Sequence, residues 1–182
     1  VLDMHPGLPG AVGPNDVVAR FAAAWSQLTG AEARIVIRQR VHAAAAVRVV
    51  PVAPGRMREA RSADIPIILE WLGAFADEAL GDAPHVEDVE ATYQRRESDP
   101  DGAWLLWDDG GPVSLAAYGT PTPTGTRVGP VYTPPEHRGR GYATSLVAEL
   151  TAERLASGLA FCFLFTDLAN PTSNSVYQRI GY

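Results

Sequence analysis

The stretch that most constrains this chain runs from Thr126 to Ser157 and reads TRVGPVYTPPEHRGRGYATSLVAELTAERLAS. A β-branched run from Val128 to Thr133 is followed by a Pro-Pro turn and a Gly/Arg loop. A helix from Gly141 to Ser157 then buries Ala143, Leu146, Val147 and Leu150, with Gly158 at its end. The order is therefore strand, tight turn and helix N-terminus. Gly139 and Gly141 admit backbone angles closed to other residues and let a ligand approach the main chain. The first amides of the helix have no internal partners and point outward, and with the helix dipole they favour an anion. Arg138 and Arg140 add permanent positive charge suited to phosphate oxygens. Thr144 adds a hydroxyl in the first turn. The stretch reads as a cradle for a pyrophosphate, with a plain strand-to-helix connection as the alternative.

Two rival phosphate motifs fail. There is no G-x-x-x-x-G-K-[ST], and the chain contains no lysine at all. The dinucleotide fingerprint G-x-G-x-x-G is not met either, because Gly139-Arg-Gly141-Tyr-Ala-Thr144 lacks the third small residue.

The run Arg138-Gly-Arg-Gly141-Tyr-Ala143 resembles the [QR]-x-x-G-x-[GA] pattern of the GNAT acetyltransferase superfamily, and the strand and Pro135-Glu136 turn before it are similar to that family too. One helix and one strand downstream, Asn170-Pro-Thr-Ser-Asn-Ser-Val-Tyr177-Gln-Arg-Ile-Gly181-Tyr182 is similar to the segment that closes the family's acetyl-CoA site. Two motifs in order and correctly spaced are a stronger signal than either alone. The resemblance covers about residues 55–182. It implies an α/β fold of the GNAT acyl-CoA N-acyltransferase type: a mixed central sheet flanked by helices, with splayed central strands.

Composition narrows the classes. With 182 residues the chain is one domain of ordinary size, or one plus a fragment. Net charge is −6 and the sequence pI about 5.1, which disfavours a nucleic-acid partner and weakly suits a cationic amine. Cys162 is a single cysteine in an apolar run and reads as a buried structural thiol. No segment approaches transmembrane length and nothing resembles a signal peptide, so no membrane partner is expected and a cytoplasmic protein is the default. Four scattered histidines and one cysteine give no metal-ligand spacing.

Taken in order, residues 1–14 read as Gly/Pro-rich loop, and the lack of Met at position 1 suggests a start inside a longer gene product. Asn15 caps a helix with Val18, Phe21, Ala22, Trp25 and Leu28 on one face and Gly30 at its end. Two β-rich runs follow, Arg34 to Arg40 and Ala46 to Val52. Residues 1–54 thus form an N-terminal helix-strand-strand segment, too small to bury a core alone. They read either as the tail of a degenerate GNAT copy or as an extension packed on the sheet. Residues 55–182 form the main domain. Its elements are a strand Arg56 to Arg61, a helix capped by Asp64 that buries Ile68, Trp71, Leu72, Phe75 and Ala79 before Gly81, and a polar helix from about Val86 to Arg96. A hairpin follows, with strands Ala103 to Trp107 and Val113 to Tyr118 around Asp108-Asp-Gly-Gly111. Gly129-Pro130 predicts a bulge that parts the next strand from its neighbour and frees amides at Val131 and Thr133. Ala160 to Thr166 is a buried strand, Asp167 to Pro171 a turn, and a last helix reaches Gly181. The family pattern expects two more strands after Tyr182; either the chain continues or another segment or subunit completes the sheet, with strands in 34–52 as candidates.

The resemblance implies direct acetyl transfer from acetyl-CoA to a primary amine of a small molecule or peptide. It places Val131, Tyr132 and Thr133 beside the pantetheine arm, and Arg138, Gly139, Arg140, Gly141, Tyr142, Ala143 and Thr144 around the pyrophosphate. Asn170 fixes the cofactor and Tyr177 is the acid for the leaving thiolate. A homodimer is compatible with this reading. No general base is evident: Thr126 to Thr133 holds no acid, and Glu78 and Asp167 could act only through water. The missing base keeps a second class open, a non-catalytic acyl-CoA-binding regulatory module.

Overall fold

The computed structural model describes residues 7–80 and 88–182. Six strands form one mixed sheet: β1 (Gln39–Ala44), β2 (Arg56–Glu59), β3 (Ala103–Asp108), β4 (Pro112–Gly119), β5 (Gly125–Tyr132) and β6 (Phe161–Asp167). Their spatial order is β1-β6-β5-β4-β3-β2, antiparallel throughout except for the β5–β6 pair. The helices are α1 (Asn15–Thr29), α2 (Ile65–Leu80), α3 (Val89–Glu97), α4 (Tyr142–Ala156) and α5 (Pro171–Ile180).

Both sheet faces are covered, which is why β3 and β4 are buried almost without interruption. Alternation along β3 sends Leu105 and Trp107 to one face and Trp104 and Leu106 to the other. On the first face they meet Leu146, Val147 and Leu150 of α4 and Ile180 of α5. On the second they meet Ile68, Trp71 and Leu72 of α2 and Tyr93 of α3. Each fully buried leucine here contributes about 1.5–3 kcal/mol. The expected α2 stripe is thus confirmed at Ile68, Trp71 and Leu72, with Phe75 packed against that core. Its expected stop at Gly81 and the expected start of the next helix at Val86 lie outside the described residues.

The front of the chain departs from the sequence reading. Instead of two strands, Arg34 to Arg40 and Ala46 to Val52, there is one, Gln39–Ala44, which pairs antiparallel with β6 from Gln39↔Asp167 to Ala44↔Cys162. The cause is tertiary: β6 needs a partner, and the register that buries His42 and Ala44 under α5 leaves Val41 outside. The segment 34–52 therefore supplies one strand beside β6, where the sequence reading expected two more strands. Residues 47–53 then cross the α4/α5 face. Arg48 donates its amide to Ile180 O at 2.7 Å, and Ala53 donates its amide to Ser145 Oγ at 2.8 Å. Val47 and Val50, the apolar residues of the second expected strand, pack against this core as coil.

Two helix starts also differ in detail. Pro14 occupies the cap position of α1 and Asn15 is already helical, with no side-chain cap bond, since Pro14 fixes the entry angle by its ring. Leu28, expected on the buried face, is exposed, and α1 fully buries none of its residues. Asp64 closes a short 3-10 turn, Ser62–Asp64, ahead of α2; its carboxylate accepts the Arg61 amide at 2.7 Å and both Nη groups of Arg58.

Candidate functional site

The cleft begins where β5 and β6 part. They pair over Gly125↔Phe161, Thr126↔Cys162 and Arg127↔Phe163, and no further. On its other side β5 stays with β4, but two residues, Gly129 and Pro130, stand against the single residue Ala117. This is the expected bulge, with Gly129 at φ 134°. The Tyr132 carbonyl accepts from Ser114 Oγ at 3.1 Å and so faces β4. Neighbouring residues of a strand alternate, so the Val131 amide faces the opening toward β6. Thr133, just past the strand, holds Ser114 Oγ through its own hydroxyl at 2.8 Å and accepts from Arg138 Nε at 2.8 Å.

Above this cleft lies the glycine loop. A short 3-10 turn, Pro135–His137, leads to Gly139 at φ 76° and Gly141 at φ 84°, both in the left-handed region that side chains resist. An added Cβ at Gly139 would meet nothing, and at Gly141 only Ala53 at 3.8 Å, so backbone conformation and not space demands glycine. Gly141 caps α4, and the Ser145 amide is already taken by the Gly141 carbonyl. The amides of Tyr142, Ala143 and Thr144 are the ones left without a helical partner.

The loop's two arginines differ. Arg138 donates to both carboxylate oxygens of Glu78 at 2.8 and 2.7 Å and lies over the Tyr132 ring at 5.6 Å. It fastens the loop to α2; the pair is half-exposed and adds about 0–1 kcal/mol. Arg140 is exposed at the loop tip, has no carboxylate pair among the described residues, and lies beside the Tyr142 hydroxyl. Tyr142 points inward: its side chain is buried and donates to Asp109 Oδ2 at 2.6 Å, a bond that raises its pKa, with burial second. Only its backbone amide is left for a ligand. Tyr132 is likewise buried and donates to Glu78 at 3.1 Å; burial, then Glu78, raises its pKa.

On α5, Asn170 caps the helix by accepting the Ser173 amide at 3.0 Å. Tyr177 packs edge-on against Tyr182 with ring centres 6.0 Å apart, and its hydroxyl bonds to no described residue. Burial pushes the Tyr177 phenol up to about 12, so it is protonated at neutral pH. The buried Cys162 thiol is pushed up to about 11, as befits a structural thiol. Neither weighed base is free: Glu78 is held as above, and Asp167 Oδ1 accepts the Ala169 amide at 2.8 Å. No group of three potential metal ligands occurs among the described residues, and none of their helices is long and apolar enough to cross a membrane.

One cluster escaped the sequence reading. His42 Nε2 lies 3.0 Å from Thr166 Oγ1 and 3.2 Å from Asn174 Oδ1. Asn174 donates its Nδ2 to the carbonyls of Asp167 and Asn170, so its oxygen must face His42. Two acceptors thereby converge on Nε2, which carries the proton. The only signal in the sequence was the i, i+4 spacing of Asn170 and Asn174; His42 stands 132 residues away from Asn174.

Known proteins share this fold. Residues 66–182 match the acetyltransferase (GNAT) family, and the chain belongs to it. Among solved structures, a transcriptional regulator from Bacillus halodurans C-125 is similar at 20% identity and a TM-score of 0.57, over 70% of this chain and 91% of that one. An N-acetyltransferase from Staphylococcus aureus Mu50 is similar at 20% identity and a TM-score of 0.54, over 68% and 80%. A GNAT family acetyltransferase from Brucella melitensis, in complex with acetyl-CoA, is similar at 22% identity and a TM-score of 0.50, over 60% and 73%. These likenesses establish the fold: the mixed, splayed sheet expected from the sequence. No curated protein matches.

Proposed function

We propose that this chain transfers the acetyl group of acetyl-CoA to a primary amine of a small molecule or peptide. The observation that carries the reading is the juxtaposition of two features. The β5–β6 cleft, open beyond Arg127, ends beneath a loop whose Gly139 and Gly141 expose the first amides of α4. An amide-rich arm suits the strand edge at Val131 and Thr133, and a pyrophosphate suits the Gly139 to Thr144 amides with Arg140 beside them. Arg138 acts here by holding the loop, Tyr142 by its amide, and Asn170 by fixing the turn that starts α5.

In the reaction the amine nitrogen forms a bond to the thioester carbonyl carbon, the carbon–sulfur bond breaks, and the nitrogen loses a proton. The Val131 amide stabilises the developing oxyanion. Tyr177 gives a proton to the leaving thiolate; its raised pKa keeps that proton in place at working pH. The proton leaving the amine goes to solvent, because Glu78 is paired with Arg138. That pairing also favours the second reading, an acyl-CoA-binding module without turnover. The test is amine-dependent release of free thiol from acetyl-CoA across a panel of amines. Amine-dependent release lost in Tyr177→Phe supports transfer; tight acetyl-CoA binding with no release for any amine supports the module.

A further inference from the structure

Arg127 carries an exposed charge that no described residue answers. It stands at the closed end of the cleft, the last β5 residue paired with β6, opposite Phe163. Thr126 and Val128 turn toward α4, so Arg127 projects from the opposite face, where its guanidinium carbon sits 5.1 Å from the centre of the Phe165 ring. No carboxylate among the described residues pairs with it and no hydrogen bond fixes its side chain; its one contact of note is that ring. Its side chain is open to solvent, and the nearest charge that bears on it is the like charge of Arg95. Its neighbour Arg96 shows the contrast, donating to Gly129 O at 3.3 Å and standing 3.7 Å from Asp99.

The position gives this charge a use. The glycine loop, α4 and α5 occupy the other face, so a thioester held there is approached by its amine from the face of Arg127. Phe163 and Phe165 share that face with Val41 of β1, and Phe165 and Val41 are 36% and 60% exposed. A guanidinium laid over a ring keeps its N–H edges free for a planar, bidentate anion.

We infer that the acceptor is an amine that also bears a carboxylate, an apolar amino acid or short peptide, with Arg127 taking the carboxylate and the Phe163–Phe165–Val41 strip taking the apolar part. This rests on the acetyl-transfer reading above. A single free fork can take one planar carboxylate bidentately, and the phosphate alternative is an arm of the test. The local positive charge also runs against the overall acidity of the chain, so the bulk charge of the protein does not reveal its acceptor.

The test compares wild type, Arg127→Gln and Arg127→Lys in two assays. Initial acetylation rates are measured for phenylalanine, phenylalanine amide and phosphoethanolamine. Binding of N-acetylphenylalanine and of its amide is titrated separately and needs no turnover. Wild type should prefer the carboxylate over the amide by about tenfold or more in both assays. Arg127→Gln should bring the ratio close to one, mainly through KM, and Arg127→Lys should retain part of it. Equal use of the amide by wild type, a preference that survives Arg127→Gln, or a preference for phosphoethanolamine overturns the inference. A binding preference abolished by Arg127→Gln without any acetylation upholds the carboxylate site and rejects acetyl transfer. No preference in either assay rejects the carboxylate site.

Discussion

Arg127 and Phe163 are the last residues at which β5 and β6 are paired. Beyond them the parallel pair opens, while β5 remains bound to β4 through a bulge at Gly129-Pro130. The opening is thus set by the backbone pairing itself.

Tyr177→Phe removes a hydroxyl that bonds to no described residue, so the fold should be little affected. Turnover should fall by about 10²-fold or more, the usual scale of general acid catalysis, with acetyl-CoA affinity nearly unchanged. Steady-state kinetics beside calorimetry checks this; equal turnover removes Tyr177 from the acid role.

The same phenol gives a pH signature. Its folded pKa of about 12 lies above the ordinary value of 10.0. Its contribution to stability is therefore complete below pH about 10 and is lost as pH rises toward about 12, because the unfolded chain ionises first. Urea unfolding across that window should show a steeper loss for wild type than for Tyr177→Phe. Parallel curves would mean that Tyr177 is solvated in the folded protein.

Asp64→Asn should cost about 1–3 kcal/mol at neutral pH, because the Arg58 guanidinium would keep only Asp108 as a charged partner. Hydrogen bonding to Arg58 holds the Asp64 carboxyl below its usual range despite burial. That stability is present above the unfolded carboxylate pKa, near 4, and is lost as pH falls through the lower folded value. Denaturant titrations from pH 7 down to pH 2 should therefore converge for the two proteins, and curves that stay separated in acid would contradict the assignment.

His42→Ala should destabilise by about 1–3 kcal/mol, because it removes the buried donor that Thr166 Oγ1 accepts from, while Thr166 goes on donating to Asn174 Oδ1 at 2.8 Å. The same substitution tests whether β1 belongs to the folded sheet. An unchanged urea midpoint would show that the Gln39–Ala44 pairing contributes nothing.

The sequence carried the central part of this fold because its signals are local. A Pro-Pro turn, two left-handed glycines and an apolar helix face lie within one run, and each obeys its own steric rule. The β3–β4 hairpin was legible for the same reason, through Asp108 to Gly111. The front segment was not. Val47, Val50 and their neighbours have strand composition, but the free edge of β6 chose the residues 39–44 instead. Side-chain commitments were equally hidden. The partner of Arg138, Glu78, stands 60 residues away and has no local signal. The inward turn of Tyr142 onto Asp109, 33 residues away, is equally without a local signal.

The most direct measurement is a calorimetric titration of acetyl-CoA into the purified chain, with Gly141→Val as control. At φ 84° a β-branched residue is strained by more than about 1–2 kcal/mol, and relief of that strain moves the amides of the α4 cap. Micromolar binding by wild type, lost in a variant that keeps its circular dichroism spectrum and cooperative unfolding, is the predicted result. Equal affinity in the two proteins, or no binding by folded wild type, would contradict a pyrophosphate site at this loop.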